Sequence, residues 1–173
     1  DAHFMPSAQL RTVLTEAWGK DWHRDFRRFE TRPIAAASIG QVHRAELRDG
    51  RILAVKVQYP GVAESIDSDV SNVGALIRMS GLLPKGFALA PYLDEARRQL
   101  REEADYLAEA DHLARFATLL AESPDFTLPA LVPERTTARV LAMSFVAGQP
   151  IEDAAHQPQD VRDRIATRLI ELL

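Results

Sequence analysis

The chain has 173 residues, of which 46% are hydrophobic and 27% are charged, which is enough for one domain with its own core. The net charge is −4, and because 21 Lys and Arg are interspersed with 25 Asp and Glu, the composition excludes an obvious nucleic-acid footprint. Cysteine is absent, which excludes disulfides and thiolate metal sites. No apolar run approaches the roughly 18 residues of a membrane span, and the start DAHFMPSAQL lacks the features of a signal peptide.

The first part of the chain has helical patterning. Apolar residues recur at helical spacing over 7–18, and Gly19 provides a stop signal. Trp22, Phe26 and Phe29 follow, again at helical spacing. We therefore expect helical structure to continue past the first helix, with these rings as aromatic anchors.

A hairpin is predicted next. Two strand-like runs, 41–47 and 51–58, flank Asp49-Gly50. Asp-Gly between such runs is the strongest short-range hairpin signal. The two runs are therefore expected to be antiparallel neighbours, with YPGV ending the second.

Two helices are expected after the hairpin, over 62–80 and roughly 91–121, joined by the connector GLLPKGFALAP. The first helix has four apolar residues on one side: Ile66, Val70, Val73 and Ile77. The second has a broken apolar stripe. Both patterns predict helices that pack one face against the rest of the fold.

The last third of the chain predicts a pair of strands in LVPERTTARVLAMSFVAG, ended by 148–150, and a helix that begins near Asp160. The order of helices and hairpins indicates an α+β arrangement. Because the chain starts without Met and its last helix has no stop signal, we expect it to be a piece of a longer protein.

The segment AAASIGQV, residues 35–42, has the spacing of the protein-kinase glycine loop G-x-G-x-x-G-x-V. Ala35 and Ala37 take the first two glycine positions, Gly40 takes the third, and Val42 is the valine. Glycine permits positive φ and a close approach of backbone N–H groups to phosphate. Alanine restricts both, so we expect a stiffer loop with a different phosphate geometry. The alternative interpretation is a structural turn of small residues.

The second strand of the hairpin, LAVKVQ, fits the kinase pattern V-A-I-K with Lys56 as the lysine. Because side chains alternate along a strand, Ala54 and Lys56 point the same way. Ala54 leaves room for an adenine ring that Val42 covers, and Lys56 offers a cation to the α- and β-phosphates. Such a lysine needs a carboxylate to orient it. The alternative is a solvated lysine at a strand end.

Four segments together, RPIAAASIGQVHRAEL, AVKVQYPGV, SIDSDVSN and EEADYLAEA, closely resemble the UbiB/ADCK (AarF-type) atypical kinases. The resemblance covers nearly the whole chain and is stronger to the coenzyme Q-linked members. It implies an α+β fold, namely a protein-kinase-like N-lobe with a small antiparallel sheet plus helix C, extra family-specific helices and no C-lobe in this chain.

The resemblance also implies a domain organisation. Residues 1–30 would form an N-terminal helical extension, and 31–149 would form the N-lobe with inserted helices at about 60–88. Residues 150–173 would be the hinge and the truncated start of the C-lobe.

The resemblance implies that ATP binds through the alanine-rich loop, including Ala36 and Ser38, and that Lys56 is the nucleotide lysine. Glu109 is implied as the helix-C partner of Lys56. Phe145 and Val146 fall at the kinase hinge, where backbone groups bind the adenine edge. The alternative for these two residues is a strand end.

The family's E-x-D motif corresponds here to Glu103-Ala104-Asp105, and the resemblance implies a regulatory role for Glu103 and Asp105. Six residues of α-helix are about 600° of rotation, so Glu103 and Glu109 are expected to project well apart. In the family the E-x-D partner is an upstream K-x-G-Q segment, which we expect to precede this chain and to leave the two acids unpaired. Periodicity alone favours a solvated helix face.

Neither H-x-D-x-x-x-x-N nor D-F-G occurs in these residues, although phosphoryl transfer needs both a positioning acid and Mg²⁺ ligands. ATP with Mg²⁺ is the implied cofactor, with the Mg²⁺ ligands outside this chain, and the fragment alone is expected to be inactive. The five histidines show no metal-ligand spacing, and His43 is expected to be structural. Asp160 and Asp163 are expected to be helix cap and surface residues.

The expected function is that of an N-lobe fragment of an atypical kinase or ATPase that supports ubiquinone biosynthesis. The implied partners are nucleotide and, through the parent protein, ubiquinone-biosynthesis proteins and membrane lipids, but not nucleic acid. The implied location is peripheral, on the cytoplasmic face of a bacterial inner membrane or the mitochondrial matrix side. The alternatives are a non-catalytic scaffold that binds nucleotide or lipid and an aminoglycoside-type phosphotransferase, which the alanine loop and E-x-D motif disfavour.

Overall fold

The computed structural model describes residues 4–84 and 86–172 and confirms the α+β class. Within these residues the α-helices are α1 (Ser7–Trp18), α2 (Val62–Met79), α3 (Ala90–Ala104), α4 (Tyr106–Leu119) and α5 (Gln159–Glu171). The strands are β1 (Phe26–Phe29), β2 (Ala35–Ala37), β3 (Gly40–Leu47), β4 (Ile52–Gln58) and β5 (Val140–Ser144). Short 3₁₀ helices occur at Trp22–Asp25, Pro133–Arg135 and Ile151–His156.

The strands form one antiparallel sheet in the order β1-β3-β4-β5, and β2 also pairs with β3. The predicted hairpin is present, with a register that runs from Gly40 opposite Gln58 to Glu46 opposite Ile52. Gly50 occupies its turn with a φ of 90°, a conformation that favours glycine.

The two faces of the sheet bury different helices. One face packs against α1 through an apolar layer: Leu10, Val13 and Leu14 of α1 with Leu53, Val55 and Val57 of β4. The opposite face packs against α4, where Tyr106 and Ala110 meet Ile39 and Leu141. Burial of each large side chain contributes about 1.5–3 kcal/mol, so both layers hold the sheet firmly. The second face carries the side chains of interest below.

A polar chain runs through the buried face beneath α1. The Met5 backbone N–H donates to Gln41 Oε1 at 2.9 Å, and Gln41 Nε2 lies 2.8 Å from His43 Nε2. His43 Nδ1 lies 2.8 Å from the Glu30 carbonyl oxygen. Since Gln41 Nε2 and His43 Nδ1 are the donors in this network, the imidazole is neutral with its proton on Nδ1. His43 is therefore a satisfied structural histidine, as the sequence predicts.

The helical interpretation of 22–29 is wrong. Trp22 lies in a 3₁₀ turn, and Phe26 and Phe29 lie on β1, which pairs with β3. Their rings still converge with Trp18, because ring centroids in this cluster lie 5.2–6.5 Å apart. The sequence spacing of these aromatic residues is that of a helix, but here it belongs to residues of a 3₁₀ turn and a strand whose rings form one cluster.

The apolar side of α2 differs from the prediction at one residue. Ile66 and Val70 are buried, but Val73 is 51% exposed. Gly74 takes its place in the packed face, and its missing Cβ leaves room for Leu93 of α3. The close helix contact therefore follows a small residue rather than the next apolar one.

Two further expectations are corrected. The helix predicted over 91–121 is two helices, α3 and α4, separated at Asp105. The second strand pair is a single strand, β5, which Leu131 joins only through an isolated bridge to Met143. The final helix starts at Gln159, beside the predicted Asp160. In the described part of the chain, no helix combines the length and apolarity needed to cross a bilayer.

We expect Gly40→Ala to lower the free energy of unfolding by about 1–3 kcal/mol, the usual cost of overpacking. A Cβ at position 40 would collide with the Val57 carbonyl oxygen and lie 2.8 Å from the Tyr106 hydroxyl. Urea denaturation measures the change. Gly148→Ala is the matched control, since a Cβ there meets nothing within 4 Å; equal stability of the two variants would contradict the prediction.

Stability should also fall in mild acid because of His43. Burial lowers the pKa of His43 below its usual 6.5. Between that lowered pKa and 6.5 the unfolded chain binds a proton that the native state does not, so native stability is lost as pH falls below about 6.5. Urea denaturation at pH 7.5 and 5.5 tests this. In His43→Gln, whose amide also provides hydrogen-bond donors and an acceptor but does not titrate in this range, the pH dependence of stability should be smaller. An unchanged dependence would refute the assignment to His43.

Candidate functional site

Lys56 lies in the middle of β4, opposite Val42 on β3 and Leu141 on β5. Its neighbours Val55 and Val57 are fully buried on the α1 side, so strand alternation directs Lys56 to the other face. The side chain is 19% exposed there. The sheet thus fixes the base of the lysine and leaves its amine beside α4.

Glu109, in the first turn of α4, meets this amine. Lys56 Nζ donates to both carboxylate oxygens, at 2.7 and 3.0 Å, across 53 residues of sequence. The positive end of the helix dipole favours the carboxylate at this position. Because Glu109 is 38% exposed, solvent screens the pair and its contribution to stability is modest, on the order of 1 kcal/mol or less. The bidentate contact therefore serves chiefly to orient the amine.

Asp105 is the break that makes this contact possible. Its backbone leaves the helical region, with φ −92° and ψ 83°, and its carboxylate accepts a hydrogen bond from Ala108 N–H at 3.0 Å. This is an N-cap, for which Asp is a preferred residue. The rotation expected for one continuous helix between Glu103 and Glu109 therefore does not apply, since the two acids lie on different helices.

Glu103, in the last turn of α3, accepts a hydrogen bond from Ser38 Oγ in the alanine-rich loop. Gln58 at the end of β4 donates to the Ala104 carbonyl oxygen at 3.0 Å. Both acids of the E-x-D motif thus have partners within this chain, contrary to the expectation that they are unpaired. The end of α3 connects the loop and β4 to the helix that carries Glu109.

The alanine-rich loop is itself a narrow hairpin. Ala35, Ala36 and Ala37 form β2 and pair with Val42, Gln41 and Gly40 respectively. Ser38 and the buried Ile39 form the turn. Among the described residues every non-glycine residue has negative φ, so alanine fits this backbone without strain. Pairing with β3 restrains the loop along its length.

The remaining predicted site residues lie along the same face of the sheet. Ala54 is half-buried opposite Met143 of β5, two positions from Lys56. Phe145 follows β5 and donates its backbone N–H to the Ile52 carbonyl oxygen at 2.9 Å, while Val146 is 43% exposed. Ala54 and the predicted hinge therefore lie further from the alanine-rich loop than Lys56 does, toward the opposite end of β4 and β5.

Sequence reasoning missed Arg44, which lies opposite Ala54 on β3. Its guanidinium carbon lies 5.6 Å from the centre of the Phe145 ring, and it forms an ion pair with Glu30 at 3.2 Å. The available signal was strand alternation, which places Arg44 on the same face as Val42. A planar cation therefore stands beside the predicted adenine wall.

A cleft of 1240 Å³ runs along α3 and α4, and Lys56, Glu109, Glu103 and Asp105 are among its lining residues. The alanine loop, Ala54 and the predicted hinge do not line it. The predicted site residues thus fall into two groups that meet at Lys56. Across residues 4–84 and 86–172, no cluster of three His, Asp or Glu is arranged to hold a metal ion.

Comparison with known proteins agrees with this architecture. The chain matches the ABC1 atypical kinase-like domain over residues 1–173. It is 45% identical to atypical kinase coq-8, mitochondrial, of Caenorhabditis elegans, with 99% of this chain and 23% of that protein covered. It is 46% identical to atypical kinase COQ8B, mitochondrial, of Rattus norvegicus, with 99% and 32% covered.

A solved structure, the complex of Rv3197 with erythromycin from Mycobacterium tuberculosis, has a similar fold. The TM-score is 0.75 at 32% sequence identity, and the match covers 95% of this chain and 42% of that chain. The chain spans about a quarter to a third of the length of the curated relatives named above. The match of the whole chain to the domain, together with this identity and fold, shows that the chain belongs to the ABC1 atypical kinase-like family.

Proposed function

We propose that this chain supplies the N-lobe half of an ATP site in an atypical kinase or ATPase that supports ubiquinone biosynthesis. The observation that carries the proposal is the bidentate contact between Lys56 and Glu109 at 2.7 and 3.0 Å. An amine held in this way on a central strand is the device by which kinases position the α- and β-phosphates. Membership of a family whose relatives are named atypical kinases supports the assignment.

Each group of the proposed site has a distinct role. Lys56 binds phosphate oxygens, and Glu109 orients Lys56. The loop 35–40 covers the phosphates as a stiff hairpin. Val42 and Ala54 form the adenine wall, and backbone groups of 145–146 bind the adenine edge. Mg²⁺, when bound, would neutralise phosphate charge; we propose that its ligands, like the catalytic loop, lie outside this chain, and that the chain alone does not turn over ATP.

The structure favours a revised outline of the lobe. Because β1 pairs with β3, we place the start of the lobe at Phe26 rather than at residue 31. The inserted helices between β4 and helix C are α2 and α3. The insertion therefore ends at Ala104 rather than at about residue 88. Helix C is then α4, and its short length follows from the cap at Asp105.

We extend the proposal to the longer protein that contains this lobe. Relatives are named mitochondrial, which supports a peripheral position on the matrix side of a membrane, or on the cytoplasmic face in a bacterium. Proteins of ubiquinone biosynthesis and membrane lipids would be contacted by that protein. A non-catalytic nucleotide-binding scaffold shares the same contacts in this lobe, and turnover separates the two functions.

Loss of either member of the ion pair should strongly reduce turnover in the longer protein. We expect Lys56→Ala and Glu109→Gln each to lower Mg²⁺-dependent ATPase activity by about a hundredfold, the scale of a catalytic group misplaced by about 1 Å. A coupled ATPase assay measures it. Glu134→Gln is the control, because Glu134 forms an exposed ion pair with Arg51 on the hairpin end of the sheet.

Two results would contradict this assignment. Full activity in Lys56→Ala would show that the amine has no part in turnover. Nucleotide binding by the unaltered protein with no turnover under any condition would favour the scaffold instead.

Ala37→Gly should change nucleotide affinity or the preference between ATP and ADP by roughly threefold or more. Ala37 pairs with Gly40 at the tip of the loop hairpin, and glycine there frees the backbone that alanine restrains. Isothermal titration of the longer protein with both nucleotides measures the effect. Ala138→Gly, an exposed turn residue away from the loop, is the control. Unchanged affinities would mean that the loop does not set the phosphate geometry.

A further inference from the structure

Tyr106, the first residue of α4, is completely buried, yet its hydroxyl has no hydrogen-bond partner in the described chain. In the sequence, Tyr106 is one residue of the broken apolar stripe in the helix predicted over roughly 91–121. Because an unpaired buried hydroxyl costs free energy, phenylalanine would serve stability better at this position. The position of the ring suggests what tyrosine does there.

The ring forms a platform for the Lys56 amine. Lys56 Nζ lies 4.8 Å from the centre of the Tyr106 ring, within the range of a cation–π contact. Glu109 stands three residues further along α4, on the same helix face, and contacts the same amine. One turn of one helix therefore holds the amine from two directions, by an aromatic face and by a carboxylate.

The other end of the same ring supports the loop. The Tyr106 hydroxyl lies 2.8 Å from the position that a Cβ on Gly40 would take, so it fills the space that glycine leaves. Ile39 packs in the same buried cluster. Ser38, the other residue of the turn, donates a hydrogen bond to Glu103, which lies three residues before Tyr106 at the end of α3. The Tyr106 side chain thus contacts both the loop and Lys56.

The charge state of the ring suits this role. Burial, and then the negative charges of Glu109 and Glu103, raise the pKa of Tyr106 well above its usual value. The phenol therefore stays neutral, and its face remains available to the ammonium throughout the physiological range.

We propose that Tyr106 is a positioning residue that couples the alanine-rich loop to Lys56. Because one ring contacts both, it fixes the position of the loop above the sheet and the position of the amine together. The link to nucleotide rests on the proposed function above. Its physical core, the contact of ring and amine, does not depend on nucleotide at all.

Lysine Cε-labelled protein provides the direct test by NMR, in the longer protein, with the Lys56 signal identified by its loss in Lys56→Arg. The ring face should shift the Lys56 Cε protons upfield in the unaltered protein and in Tyr106→Phe. The shift should disappear in Tyr106→Met and Tyr106→Leu, which lack the ring. If the unaltered protein shows no upfield shift, the proposal is overturned, and this result does not require any variant to fold.

Nucleotide affinity provides the second readout. Tyr106→Met should weaken ATP binding by roughly threefold to tenfold, the scale of a partly desolvated cation–π contact, whereas Tyr106→Phe should bind within twofold of the unaltered protein and melt no lower. Equal affinity in Tyr106→Met, with the upfield shift lost, would refute the coupling. If the unaltered protein binds no nucleotide, the proposed function fails instead, while the lysine shift still decides the contact of ring and amine.

Discussion

The site depends on one constraint: an amine on a central strand must meet a carboxylate that lies 53 residues away in sequence. The strand fixes Lys56 on both sides through β3 and β5. The carboxylate side is less direct, because Glu109 reaches the amine only if α4 starts afresh after α3. Asp105 provides that new start by capping α4. The start of α4 at Asp105 thus places Glu109 where it can orient the proposed phosphate ligand.

The junction between α3 and α4 gathers several functions in few residues. Glu103 holds the loop through Ser38, Asp105 caps the helix, Tyr106 lies beneath the amine and Glu109 contacts it. Apart from the burial of the Tyr106 ring, these contacts contribute little to stability, since most of the polar groups are exposed or screened. Their common effect is geometric: they fix the relative positions of the loop, the strand and the helix. The long cleft that opens beside Lys56 runs along this same junction.

Much of this arrangement follows from sequence, and the remainder has identifiable causes. The hairpin around Gly50 was predictable because its turn chemistry is local. The pairing of Lys56 with Glu109 was implied only by resemblance, since no local rule joins distant residues. The break at Asp105 was hidden because strong helix formers flank it, although an acid before an apolar run is a known cap signal. The helix prediction over 22–29 was wrong because aromatic residues that cluster in the tertiary structure can have helix-like spacing in the sequence.

Gly40 and the alanines at 35–37 differ in how readily other residues could replace them. The alanines at 35–37 have ordinary backbone angles, and Ala35 and Ala36 are exposed, so other small residues could be exchanged there without disturbing the fold. At Gly40 there is no room for a Cβ, because the Val57 carbonyl oxygen and the Tyr106 hydroxyl occupy the space that it would need. If the loop binds nucleotide as proposed, substitution of the alanines could change ligand preference, whereas Gly40 is constrained by its packing against the rest of the fold. The requirement for glycine at position 40 therefore comes from the protein's own packing and would hold whether or not a ligand occupies the loop.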